Sequence, residues 1–70
     1  MQLSTEEIIK DLETYQEPDI ELLILMYRTC ISCSLAWYDA DRKMSDDYVS
    51  KASEIVVKLR ELHSVLTKEN

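Results

Sequence analysis

Cys30-Ile31-Ser32-Cys33 carries the spacing of a dithiol or half a zinc site. Redox chemistry would need the first thiol exposed at a helix N-terminus, where the dipole lowers its pKa. These cysteines instead fall about three turns inside an apolar run. Zinc would require two further ligands at matching spacing. His63, the single histidine, is the one natural addition, so a closed site is not available within one chain. Both cysteines read as small core residues. His63 sits beside an apolar seam near Val56 and Leu66, with no acid–nucleophile cluster around it in sequence. It reads as a boundary histidine that gives an interface mild pH sensitivity. Asp39, Asp41, Asp46 and Asp47 cluster without the alternating acids and central glycine of a calcium loop. The expectation is a chain with no catalytic residues, no metal and no cofactor.

The elements that position these residues are helical. Seventy residues make a single domain, 1–70, with no glycine, one proline and 46% hydrophobic residues. Absence of glycine argues against tight β-hairpins and excludes glycine-rich phosphate loops. Ser4-Thr5-Glu6-Glu7 is a capping box, with Leu3 and Ile8 at staple positions. Ile8, Ile9, Leu12 and Tyr15 follow at helical spacing, predicting a helix over about 5–15 that stops before Pro18.

Pro18 suits the first position of a second helix, predicted to run to about residue 39 or 40. That helix is apolar on two sides. One stripe reads Ile20, Leu23, Tyr27, Cys30, Ile31, Tyr38. The other reads Leu22, Leu25, Met26, Cys33, Ala36, Trp37. Residues 39–44 read as a turn. Ser45 is the expected cap of a third helix over about 45–67, with Asp46 and Asp47 in its first turn and Met44 and Val49 as a second staple. Tyr48, Ala52, Ile55, Leu59, Leu62 and Leu66 form a coiled-coil-like heptad seam. Asp47/Lys51 and Glu54/Lys58 are i,i+4 pairs. The fold class is all-α: an antiparallel helical hairpin, about 18–40 against 45–67, with the short first helix packed across it.

Three helices of these lengths leave part of an all-round apolar helix uncovered, which marks an interface. Met26, Tyr27, Trp37 and Tyr38, with Val49 and Val56 beside the heptad seam, are the expected partner-binding residues. The partner is a helical protein, or a second copy in a homodimer.

Charge sharpens this. The formal charge is −6, and residues 1–21 hold seven acids against one base, while residues 22–70 are balanced at seven of each. A basic footprint for nucleic acid or anionic membrane is absent. Glu6, Glu7, Asp11 and Glu13 form an acidic face that steers a basic partner. The alternative is a small acidic inhibitor, a nucleic-acid mimic blocking a basic site. Arg28, Thr29, Ser32, Ser34 and Asp39 argue against residues 22–40 spanning a bilayer. An acidic N-terminus without a basic n-region, together with two cysteines, points to the cytoplasm.

The run Pro18-Asp19-Ile20-Glu21-Leu22-Leu23-Ile24-Leu25-Met26-Tyr27 resembles the helix of flagellin export chaperones that opens with Pro-Glu-Glu-Leu and runs into Leu-Met-Leu-Tyr. Tyr48 to Leu59 is similar to that family's following helix, and the two stretches cover about a third of the chain. The family is longer and continues with Asp-Gly where this chain has Arg28-Thr29. In size and layout, with Tyr48, Ala52, Ile55 and Leu59, the chain also resembles the small co-chaperones of type III secretion needle subunits. Those pair with a larger helical-repeat chaperone and keep the needle subunit from polymerising. Both resemblances imply a non-enzymatic protein that covers an apolar helix of an export substrate or its chaperone.

Overall fold

The computed structural model describes residues 3–68. Three helices account for most of them, and no strand is present among the described residues: α1 (Thr5–Glu13), α2 (Pro18–Trp37) and α3 (Arg42–Lys68).

α1 starts where its capping box requires. The Ser4 hydroxyl accepts from the Glu7 amide at 3.2 Å, and the Ser4 amide donates to Glu7 Oε1 at 3.1 Å. The helix ends at Glu13, two residues before the expected limit. The amides of Thr14, Tyr15 and Gln16 bond to carbonyls three residues back, tightening the last turn out of α-geometry. Gln16 then takes φ 55°, the left-handed region, in a chain that has no glycine to place there. Pro18 opens α2 at its first turn, with Asp19 and Glu21 at the positive end of the dipole. α2 stops at Trp37, short of the expected 39 or 40.

The start of α3 differs most from the sequence reading. Ser45 is not its cap. Asp41 is: its carboxylate accepts from the Met44 amide at 3.2 Å, one helical turn earlier. The connection from α2 is therefore only residues 38–41, not a turn over 39–44. Asp46 and Asp47 lie past the first turn, and Met44 and Val49 are not placed as a staple. Ser45 is instead buried inside α3. Its hydroxyl donates to the Ser34 carbonyl at 2.8 Å and lies 3.3 Å from the Ser34 hydroxyl. Two small side chains satisfy each other there, so α2 and α3 approach closely beside the connection without an orphaned polar group. Of the expected i,i+4 pairs, neither Asp47–Lys51 nor Glu54–Lys58 closes to ion-pair distance.

The core draws on all three helices: Ile8, Ile9 and Leu12 of α1, Ile20 and Ile24 of α2, Ile55 and Leu59 of α3. Leu23, Tyr27, Cys30, Leu62 and Leu66 pack around it. Of the heptad seam, Ala52, Ile55 and Leu59 are buried, while Tyr48, Leu62 and Leu66 are half-buried. Leu12 is fully enclosed. Truncation there leaves a cavity that a core this small has little means to collapse. Leu12→Ala is expected to cost about 2–5 kcal/mol, and Asp41→Ala about 1 kcal/mol. Leu25→Ala, on the exposed side of α2, should fall within about 0.5 kcal/mol of the parent. Urea unfolding followed by circular dichroism ranks the three, and a Leu12→Ala chain as stable as the parent would refute this core.

Candidate functional site: the outer face of α2

The inward side of α2 carries Ile20, Ile24 and Ser34, all buried, with Leu23, Tyr27, Cys30 and Ile31 half-buried around them. The core residues of α1 and α3 cluster with Ile20 and Ile24 of this side. The opposite side holds Leu22, Leu25, Met26, Thr29, Ala36 and Trp37, all exposed, with Cys33 half-buried at its edge. Leu25 retains 61% of its accessible surface and Trp37 39%. The spacing 22, 26, 29, 33, 36 steps by 4, 3, 4, 3, so a straight seam is presented with no helix against it. Apart from Arg28, no charge lies between Leu22 and Trp37. With a mean hydropathy of 1.4, α2 is by length and composition apolar enough to cross a membrane, yet only 17% of that stretch is buried. An open depression of about 370 Å³, lined by Leu23, Lys58, Glu61, Leu62 and Val65, carries apolar surface round to α3.

The expected binding residues do not form a single patch. Met26 and Trp37 stand on the outer face. Tyr27 is half-buried against the core, one turn before the inward Ile31. Tyr38, beyond the end of α2, lies under the Arg42 guanidinium at 4.0 Å in a cation–π contact. Val49 is exposed and Val56 half-buried. Val56 shares its side of α3 with Arg60 and His63, the two residues that reach α1. Leu22, Leu25 and Leu35 are exposed apolar residues outside the expected set, and Leu35, at 71%, is the most exposed of them. Leu22 and Leu25 were legible in the second stripe. Choosing anchors by aromatic and methionine type, instead of by face, passes over them.

The acids of α1 are partly occupied. Glu7 closes the capping box. Glu6 Oε2 lies 3.6 Å from the Arg28 guanidinium. Asp11 Oδ2 is 3.0 Å from Nε2 of His63, whose side chain is mostly buried. Arg60 also donates to the Leu3 carbonyl at 3.1 Å. Glu13 makes no such side-chain bond among the described residues. Three of the four acids thus tie α1 to itself, to α2 and to α3, a role that a linear count of charge does not reveal.

Cys30 and Cys33 are free thiols and both are half-buried, so only Cys30 packs against the core as expected of both. Among the described residues no group of three histidine, cysteine, aspartate or glutamate side chains converges as a metal site would require. Comparison with protein-family models, curated proteins and solved structures finds no match.

The Asp11–His63 contact holds the C-terminal half of α1. A side-chain hydrogen bond of this kind is worth about 1 kcal/mol. Asp11→Ala should therefore lower hydrogen-exchange protection of the Ile9 to Leu12 amides by up to about fivefold, whereas Glu13→Gln should leave them unchanged. Equal effects from both would mean that the contact does not anchor α1.

Proposed function

We propose that this chain is a non-enzymatic protein-binding module, a chaperone or adaptor whose outer α2 face covers an apolar helix of a partner. One observation carries the reading: a 20-residue helix with one side in the core leaves a heptad-spaced apolar seam in solvent. Exposing it costs solubility unless something seats there. In this reading α2 and α3 form an antiparallel helical hairpin, and α1 lies across it on the side away from the seam. The four-residue connection, the Ser34–Ser45 contact and the pairing of Ile20 and Ile24 with Ile55 and Leu59 support that arrangement.

The occupant fits as an amphipathic helix laid along Leu22, Leu25, Met26, Thr29 and Trp37 by i, i+3, i+4, i+7 contacts. Large aliphatic and aromatic anchors supply the energy, while the exposed acids of the N-terminal segment favour a basic flank on the incoming helix. This is the biochemistry implied by the likeness to cytoplasmic export and secretion co-chaperones, which hold aggregation-prone helices before export. Arg28, midway along α2, favours a protein partner over a bilayer. The nucleic-acid-mimic alternative is weakened because Glu6, Glu7 and Asp11 are engaged within the chain.

Binding of a basic amphipathic helical peptide, measured by calorimetry, tests the reading. Leu25→Glu and Met26→Glu should each weaken it by about 2 kcal/mol, roughly thirtyfold. Glu13→Lys should mainly slow association and reduce its salt dependence. Binding untouched by the α2 variants, competition by DNA, or uptake by lipid vesicles in place of the peptide would each overturn it.

A further inference from the structure

The outer face of α2 is complementary to itself. Its N-terminal half carries bulky Leu22, Leu25 and Met26, and its C-terminal half carries small Ser32, Cys33 and Ala36 before ending on Trp37. Thr29 lies between them, on the line of the seam. Lay a second α2 antiparallel on the first, about a two-fold axis at Thr29, and each bulky residue meets a small one. Leu22 comes onto Ala36, Leu25 onto Ser32 and Met26 onto Cys33. The same three contacts repeat across the axis, as an isologous interface requires. Trp37 arrives near Asp19 of the other copy, a carboxylate able to accept from the indole N–H.

Area points the same way. The chain exposes 5380 Å². A compact monomer of 8.2 kDa is expected to expose about 4500 Å². The excess, close to 900 Å² over the whole chain, is of the order of the 800 Å² or so that each side contributes to a standard stable interface, and the exposed residues of α2 supply part of it. It arises because the molecule is a plate of 47 × 27 × 15 Å, with a Cα radius of gyration of 13.4 Å against about 11 Å for a globule of this length. Charge does not oppose the pairing. The net −6 is concentrated in residues 1–21, while the shared face from Leu22 to Trp37 carries only Arg28, already beside Glu6.

We infer that in the absence of a client the occupant of this face is a second copy of the chain, packed α2 on α2 in antiparallel register about Thr29. The inference rests on the proposed function only in taking this face as an interface. The dimer is the form that keeps the seam dry until a client helix displaces one copy.

Analytical ultracentrifugation of the full chain from micromolar to millimolar concentration tests it. The expected mass is twice 8.2 kDa, dissociating on dilution. Leu25→Glu should halve the mass while leaving the helical circular dichroism intact, since that residue lies outside the core. Thr29→Cys, in a chain with Cys30→Ala and Cys33→Ala, should be cross-linked to itself by a short bismaleimide. A chain that stays monomeric throughout, a dimer indifferent to Leu25→Glu, or a dimer whose position-29 thiols do not cross-link would overturn the inference. A monomer that still captures the basic peptide on α2 would sink the dimer and leave the proposed function standing. A dimer broken by Leu25→Glu that captures no peptide would do the reverse.

Discussion

One constraint organises this protein: α2 gives only one of its sides to the core cluster it shares with residues of α1 and α3. An α-helix that is apolar nearly all round needs cover nearly all round, and here residues of both other helices cluster with Ile20 and Ile24, while α3 alone reaches Ser34. The core that results is small but closed, with Ile9, Leu12 and Leu59 enclosed at its centre. The residues left outside follow from the same choice. Leu22, Met26, Thr29, Cys33 and Ala36 form a regular seam, flanked by Leu25 and Trp37, with no helix over it among the described residues.

Polar chemistry in this fold serves the packing. Ser45 inside α3 bonds to the Ser34 carbonyl, and the pair allows close approach at the connection, where larger side chains would hold the helices apart. Asp41, one turn earlier, takes over the cap. The acids of α1 behave similarly. Glu6, Glu7 and Asp11 form contacts that orient a nine-residue helix too short to be stable alone. Three of the acids that read as a face in the linear chain thus also make contacts that add to the hold of Ile8, Ile9 and Leu12 on the core.

The open seam links energetics to function. A 70-residue chain supplies little stability from its own core, so burying the outer face of α2 against another helix adds to folding and ends the exposure of apolar surface in one event. On the proposed function and the proposed dimer, a client helix and a second copy would compete for the same strip. The absence of charge from the centre of the seam suits both occupants. In the same proposal, the acids near its N-terminal end would favour a basic client over a copy.

What the sequence by itself determined was local. Periodicity, the Ser4–Glu7 capping box and Pro18 specified three helices and the first two starts, because those signals act within a turn or two of chain. The second α2 stripe, Leu22 to Trp37, was also legible as a continuous apolar line. Tertiary structure decided the rest. Ser45 has the type and neighbours of a cap, and only the proximity of Ser34, eleven residues away, makes it a buried donor. The two stripes of α2 are nearly equal in hydrophobicity, so nothing local says which one enters the core. That was settled by where a three-turn α1, turned back through Gln16 and tied by Glu6 to Arg28 and by Asp11 to His63, can reach. The identity of the exposed face is a property of which contacts compete, and those contacts join residues up to fifty-seven positions apart.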